Sequence, residues 1–279
     1  MGSIYDRTDI YDLFESEGKY QATKKHWETV LEGRLLTSGG ISSTAYSALD
    51  VSIGTGSLTL PLAELGFALY GSDLSPSMLE KCKENAHTKH LEIHLRQCDF
   101  RMLRPHFTGK KNGKSFDLVM STGNSLPYVR NDELLDVLEE MDTLVSPGGY
   151  LYVDLRNWDK IMKERNRFYL YNPVFRIHPE TQEEERINLT QVWDYHEEGS
   201  VRFHLLYTFE TERKIHRREI FEERYYPVEQ KVLLDKIREM GYSEIEIGRL
   251  PAQFGKFDLE RDDWYYIIAK KSDKEKAVR

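Results

Sequence analysis

The stretch Ala48-Leu49-Asp50-Val51-Ser52-Ile53-Gly54-Thr55-Gly56-Ser57 decides the fold. A short apolar run ends in glycines, and a helical stripe of Leu58, Leu62 and Leu65 follows directly. Glycines between a strand and a helix let the chain turn sharply and let a ligand approach the main chain. Phe67-Ala68-Leu69-Tyr70 reads as a second strand that ends at Asp73. An acidic side chain there can accept hydrogen bonds from both hydroxyls of a ribose. Standing alone, these features read first as a Gly-rich turn and a surface aspartate.

Working outward, the same rhythm continues. Ser75-Pro76 opens a helix carrying Met78, Leu79 and Cys82, a favoured cap followed by proline at the first helical position. Leu91, Ile93 and Leu95 alternate as in a strand, and Phe116-Asp117-Leu118-Val119-Met120 is the next strand. Leu134, Val137, Leu138, Met141 and Leu144 form a helix face, and Pro147-Gly148-Gly149 turns into Tyr150-Leu151-Tyr152-Val153. Short apolar strands alternating with helices indicate an α/β protein with a parallel sheet wrapped by helices. The pattern then changes: 187–195 and 201–210 flank Glu197-Glu198-Gly199-Ser200 as a hairpin, 217–224 is a further strand, and a last helix over 228–240 stops at Gly241. Ile245-Glu246-Ile247 and 264–269 close the sheet, and the charged tail from Lys270 is expected to fray. Upstream, Ile10, Leu13, Phe14, Trp27, Val30 and Leu31 recur at helical steps, with Gly18 expected to separate two helices and Gly39-Gly40 to act as a linker.

Composition bounds the function. The chain has 279 residues, with 39 Lys+Arg against 47 Asp+Glu for a formal net charge of −8. An acidic balance argues against a dedicated nucleic-acid binder. A hydrophobic fraction of 39% supports a real core, yet no apolar run approaches the roughly 18–20 residues of a membrane span. Met1-Gly2-Ser3-Ile4-Tyr5-Asp6 has no apolar signal-peptide core, and Asp6 breaks the myristoylation pattern. Two cysteines, Cys82 and Cys98, make no disulfide framework, so a reduced, cytoplasmic setting is expected. The 17 tyrosines, against 12 Phe and 4 Trp, have no compositional explanation.

Three further features accompany the glycine loop. Asp99-Phe100 follows the third strand, where a polar group can hold an adenine amino group and an aromatic can stack on the ring. The fourth strand carries Phe116-Asp117-Leu118-Val119, and Pro147-Gly148-Gly149 precedes the fifth. With the loop and Asp73, these resemble a class I S-adenosylmethionine methyltransferase. A dinucleotide dehydrogenase would prefer Gly or Ala where this chain has Thr59. Gly123-Asn124-Ser125 and Asp154-Leu155-Arg156-Asn157-Trp158-Asp159 narrow the resemblance to the glycine and glycine/sarcosine N-methyltransferases, and Tyr207-Thr208 and Arg224-Tyr225-Tyr226-Pro227 are similar to that family too. The similarity spans most of residues 46–268.

The resemblance implies a Rossmann-like fold with a seven-stranded, mostly parallel sheet, an N-terminal helical lid and an antiparallel β insertion. The expected division is a lid over 1–44, a cofactor-binding core over 45–160, a substrate lobe over 161–227, and a last helix and strands over 228–279. It implies S-adenosylmethionine as cofactor and S-adenosylhomocysteine as product, with a small-molecule partner, no nucleic acid and no membrane. The cofactor is expected against Asp50, Ser52, Gly54, Gly56, Asp73, Leu74, Met78, Asp99, Phe100, Ser121 and Tyr11. Arg156 would hold a substrate carboxylate, since a guanidinium offers a planar fork that matches it; a structural salt bridge is its bland reading. Asn124 would orient the amino acid or serve as a turn residue. Tyr207 and Tyr226 would bring hydroxyls to the amine, or act as core and rim aromatics. Repeated methylation of glycine would lead toward betaine. Ser52 replaces a common loop glycine, Leu155 stands where near relatives often carry His, and Pro127-Tyr128 replaces a small residue and His. These departures keep open another small amine or hydroxyl acceptor, or a silent cofactor-binding module. His87, His90 and His94, the loop Lys110-Lys111-Asn112-Gly113-Lys114 and the run Glu183-Glu184-Glu185 read as exposed features, and no metal is expected.

Overall fold

The computed structural model describes residues 2–37, 46–107 and 115–273. Gly39-Gly40, the basic loop 110–114 and the last six residues of the tail lie outside the described residues. Among those described, five strands alternate with helices in the first half: β1 (Ser47–Asp50), β2 (Ala68–Asp73), β3 (Ile93–Gln97), β4 (Phe116–Ser121) and β5 (Val145–Arg156). Seven more follow: β6 (Phe168–Leu170), β7 (Val174–Ile177), β8 (Glu184–Tyr195), β9 (Val201–Thr211), β10 (Lys214–Tyr225), β11 (Tyr242–Arg249) and β12 (Trp264–Lys271). The helices are α1 (Thr8–Tyr11), α2 (Glu17–Leu31), α3 (Leu60–Glu64), α4 (Pro76–Thr88), α5 (Arg104–Phe107), α6 (Asn131–Asp142), α7 (Trp158–Glu164) and α8 (Gln230–Glu239).

The main sheet has seven strands in the order β11-β12-β5-β4-β1-β2-β3. All neighbours are parallel except β12, which runs antiparallel to both β5 and β11. This is the architecture the sequence pattern predicts. The chain leaves β1 toward β2 and β3, then returns to place β4 on the other side of β1. That reversal opens a crevice at the carboxyl ends of β1 and β4, the place where open α/β sheets bind ligands. Side chains alternate across β5. Leu151, Val153 and Leu155 enter one buried cluster, while Tyr150 and Tyr152 enter the other. Asp154 and Arg156 continue the even-numbered face.

The second sheet is antiparallel, in the order β10-β9-β8-β6, with β7 paired to β8. Its strands alternate buried and exposed residues, so one face is apolar and packs toward the main sheet. Leu189 opposes Tyr207, Gln191 opposes Leu205 and Trp193 opposes Phe203 across β8 and β9.

At the amino terminus the structure corrects the sequence reading. Gly18 does not separate two helices; it lies in the first turn of α2. The break falls earlier, at Glu15-Ser16, because the Ser16 hydroxyl accepts the Lys19 N–H and caps α2 there. Trp27 from α2 is buried and its indole N–H donates to the carbonyl of Leu58 at 2.7 Å, which fastens the helix to the glycine loop. Asp12 ties the preceding turn down, accepting the Thr55 hydroxyl and the Asn85 amide.

Two glycines of the loop serve different ends. Gly54 has φ +55 and nothing within 4 Å of the place a Cβ would occupy. Gly56 has φ +82, and a Cβ there would lie 2.8 Å from both Cys82 Sγ and Leu60 Cγ. It is therefore a packing position between the loop, α3 and α4. Gly56→Ala should destabilise the fold by about 1–3 kcal/mol through combined left-handed strain and overpacking, read as a lowered midpoint in thermal or urea unfolding. An unchanged midpoint would refute this.

Candidate active site

Two cavities meet at the carboxyl edge of the main sheet. The larger, about 690 Å³, lies over the loop after β1 and the ends of β2 and β3. The second, about 510 Å³, lies between α2, the even-numbered face of β5 and the apolar face of the antiparallel sheet. Both are walled by Tyr5, Tyr11, Ser57, Leu58, Gly123 and Tyr128, so they share a boundary at Gly123.

In the first cavity, Ser52, Gly54, Asp73, Leu74, Asp99, Phe100 and Tyr11 line the wall. Asp73 accepts the Gly54 N–H at 2.9 Å and the Ser75 N–H at 2.9 Å, which pins the loop after β1 to the end of β2. Burial pushes its carboxyl above the usual range. Asp99 is engaged by Arg101, which pairs with Glu133 as well. Leu74, 64% exposed, and Phe100 give this cavity an apolar wall. The open space at Gly54, the acceptor Asp73 and the apolar wall fit a ribose and a flat base.

Four residues expected to bind cofactor do not line this cavity. Asp50 and Ser121 are buried beneath it. Asp50 accepts the Ser52 N–H at 3.0 Å and the Thr122 hydroxyl at 2.8 Å, joining the loops after β1 and β4. Burial pushes Asp50 up to about 6. Ser121 Oγ meets Ser52 Oγ at 3.1 Å. Met78 is fully buried in the core, and Gly56 packs as described. Residues that sequence reasoning missed here include Thr122, Gly123 and Tyr128.

The second cavity contains Asp154 and Arg156 on one face of β5. Strand rise separates their Cα atoms by roughly 6.6 Å. Asp154 accepts the Gly123 N–H at 2.7 Å and the Tyr152 hydroxyl at 3.3 Å. The Tyr152 hydroxyl also meets His26 Nε2 at 2.9 Å, while His26 Nδ1 accepts the Ala252 N–H. A backbone N–H can only donate, so the neutral His26 carries its proton on Nε2 and gives it to Tyr152, which donates to Asp154. Burial lowers His26 to about 3, which keeps it neutral. Burial pushes Asp154 up to about 7, with Asp50 adding repulsion. Arg156 packs over Trp264 and Trp193, and among the described residues its guanidinium donates to the Tyr171 hydroxyl at 3.4 Å. Its Nε is buried without a partner, which leaves the guanidinium fork unsatisfied.

The tyrosines separate along this boundary. Tyr207 lines the second cavity, next to Phe14. Tyr226 lines the first cavity instead. Its neighbour Tyr225, at the end of β10, reaches the second cavity and joins a chain of hydroxyls from Tyr5 through Tyr128. A strand's faces alternate, so a one-residue step decides which cavity a tyrosine meets. Burial holds the Tyr5, Tyr128 and Tyr225 phenols above their ordinary value, so they act as neutral donors. Asn124 is fully buried and lines neither cavity. Its side-chain oxygen accepts the Arg156 backbone N–H at 3.0 Å and the Trp158 indole N–H at 2.9 Å. Of the departures from the resembled family, Leu155 lies in the core on the opposite face of β5 and Pro127 is buried, whereas Tyr128 reaches both cavities.

Elsewhere, His87, His90 and His94 are all exposed, and His94 stacks on Tyr70. The run at 183–185 is not uniformly solvated. Alternation on β8 buries Glu185, which pairs with Arg176 at 2.6 Å and His216 at 2.9 Å. His178, Glu185 and His216 have donor atoms within 4.8 Å of one another. However, His178 Nδ1 already accepts the Glu180 and Thr181 N–H groups, which puts its proton on the nitrogen facing the cluster, and Arg176 brings a positive charge to it. Among the described residues, no helix is long and apolar enough to cross a membrane.

Residues 48–149 match the model of a methyltransferase domain family. The chain is 32% identical over 131 residues to a glycine/sarcosine N-methyltransferase of Parasynechococcus marenigrum, covering 47% of this chain and 43% of that protein. It is 24% identical over 280 residues to a glycine/sarcosine/dimethylglycine N-methyltransferase of Actinopolyspora halophila, covering 98% of this chain and 42% of that protein. The matched region thus spans less than half the length of these two relatives. A solved S-adenosylmethionine-dependent methyltransferase of Clostridium acetobutylicum has the same fold, with a TM-score of 0.71, 15% identity, and coverage of 95% of this chain and 97% of that one. The cofactor of this domain is S-adenosylmethionine, and the first cavity has the donors and walls to hold it. Residues 48–149 carry a methyltransferase domain, and the chain resembles the glycine/sarcosine N-methyltransferases.

Proposed function

We propose that the protein is an N-methyltransferase that acts on an amine bearing a carboxylate, with glycine and sarcosine as the smallest members of that class. One observation carries this reading: Asp154 and Arg156 share a face of β5 in a cavity that meets the cofactor cavity at Gly123. A carboxylate and an unsatisfied guanidinium at that spacing complement the two charges of an amino acid. Relatives named for glycine and sarcosine methylation support the same class.

In this reading Ser52, Gly54, Asp73, Leu74, Asp99 and Phe100 hold the cofactor's adenosine, with Tyr11 closing from the lid. Bound S-adenosylmethionine supplies an electrophilic methyl carbon, and the C–S electron pair leaves on sulfur as the neutral thioether. Arg156 binds the acceptor carboxylate and fixes its orientation. Asp154 receives the ammonium end and accepts one proton from it, so an N–H bond breaks and a carboxyl O–H forms. The freed nitrogen lone pair then forms the new N–C bond. A base poised near neutrality suits this task, because near pH 7 a substantial fraction is ionised and able to take a proton. Tyr207 and Tyr225 offer neutral hydroxyls around the amine. Alignment rather than covalent catalysis accounts for most of the acceleration in such a displacement.

Arg156→Ala should raise KM for sarcosine by about 10- to 100-fold while leaving the S-adenosylmethionine Kd within error, measured by initial rates and calorimetry. Full activity in this variant would remove the carboxylate role. Asp154→Asn should lower kcat by about 10²- to 10⁴-fold near pH 7 and flatten the acid limb of the wild-type pH profile.

Asp154 also makes a prediction about stability. Its folded value is raised, so its contribution is fully present below the unfolded value and is lost as pH rises toward about 7. Asp154→Asn should therefore stabilise the protein by on the order of a few kcal/mol at pH 8 and give no such gain near pH 4. Thermal unfolding across that range checks this, and a larger gain in acid would contradict it.

A further inference from the structure

We infer that the acceptor is an α-amino acid with a large apolar side chain rather than glycine, an inference that rests on the reading above and narrows it. The second cavity measures about 510 Å³. Cavities of that size enclose drug-sized molecules. Glycine has five non-hydrogen atoms, and the Asp154–Arg156 pair accounts for its charged groups, so most of the space lies beyond them.

That remaining space is walled mainly by apolar side chains, with Gln191, Glu15, Lys19 and Thr23 among its polar members. The antiparallel sheet presents Leu189, Leu205 and Phe203 to it, and α2 with the preceding turn presents Phe14 and Trp27. Trp264 closes the end beside Arg156. Water held against such walls finds few hydrogen-bond partners, and an apolar group that displaces it gains the burial of its own surface.

Of the sequence departures, Tyr128 is the one that reaches this cavity. Leu155 and Pro127 are buried in the core and cannot shape the cavity, while Tyr128 stands at the shared boundary with a large ring. The amino-terminal residue Phe14 lies 6.2 Å from the ring of Tyr207, so part of the cavity wall is made of rings from both the amino-terminal segment and the second sheet.

The test incubates the full chain with methyl-labelled S-adenosylmethionine and, separately, glycine, sarcosine, L-leucine, L-phenylalanine and phenethylamine. Products are followed by mass spectrometry, and calorimetry verifies cofactor binding. The expected result is a kcat/KM for leucine or phenylalanine at least about tenfold above that for glycine and sarcosine, with phenethylamine at least about tenfold below phenylalanine. Glycine or sarcosine turned over as well as the larger amino acids would overturn this inference and leave the parent reading standing. Phenethylamine turned over as well as phenylalanine would overturn the need for a carboxylate, and with it both readings of the acceptor. Cofactor binding with no methylated product from any of the five would overturn both as well.

Discussion

The hydrogen bond from the Gly123 backbone to the Asp154 side chain, 2.7 Å long, fixes the boundary on which the site depends. Gly123 and Asn124 have φ of +72 and +62, so the chain leaves β4 through two successive left-handed residues. Only a firm set of partners holds a non-glycine residue there. Asp154 supplies them, taking the Gly123 N–H on its carboxylate and the Asn124 N–H on its carbonyl. Asn124 answers by accepting the Arg156 N–H and the Trp158 indole. The ends of β4 and β5 are thereby stitched together, and the Gly123 backbone stands as a thin wall between two cavities. A side chain at that point would be strained and would press on Leu58, narrowing the passage between donor and acceptor.

The lid depends on the same edge. Trp27 reaches the carbonyl of Leu58, Thr55 bonds to Asp12, and the Ser75 hydroxyl donates to the carbonyl of Tyr5. Each contact joins the amino-terminal segment to a loop that also lines a cavity. The amino-terminal segment and the loops that line the cavities are therefore tied to one another. The hydroxyl chain Tyr5, Tyr128, Tyr225 extends this tie to the second sheet. The tyrosine surplus finds part of its explanation here: these side chains bury a ring while keeping a neutral hydroxyl at an apolar boundary.

What could be read from the sequence follows from what is local. β1 and β2 are short apolar runs that end at Asp50 and Asp73, and Ser75-Pro76 carries its own cap, so element order was legible. Arg156 was legible as a cavity residue because its strand end and its neighbours formed a pattern. Its partner across two residues was within reach of the same alternation, since Asp154 must share its face. Other features were not local. Tyr225 and Tyr226 differ only in strand phase, which is set where β10 ends and pairs with β9. Glu185 looks like one of three equal glutamates until Arg176 and His216 meet it from neighbouring strands. Gly18 resembles a breaker until the Ser16 cap shows that the helix has only just begun. Gly56, Asp50, Ser121 and Met78 belong to the family pattern yet lie beneath the cavity, so part of that pattern describes the packing that shapes a cradle rather than the cradle itself.

Three buried or nearly buried carboxylates, Asp50, Asp73 and Asp154, cluster along the carboxyl edge. Burial raises all three, and Asp50 and Asp154 repel each other as well as being desolvated. Such an arrangement costs stability in the empty protein, since each charge has left water for hydrogen bonds that only partly replace it. Arg156 is the guanidinium of the second cavity, and it stacks on Trp264 rather than pairing with any of them. The imbalance is relieved by positive charge brought in from outside. A sulfonium at the Gly123 boundary and an ammonium against Asp154 would each lower the carboxylates toward their ordinary values, and in doing so recover part of the cost of burial. In the proposed reaction, such a site would favour cationic ligands by charge as well as by shape. The neutral phenols would add to that preference, because they offer oxygen lone pairs and ring faces to a cation while carrying no charge of their own.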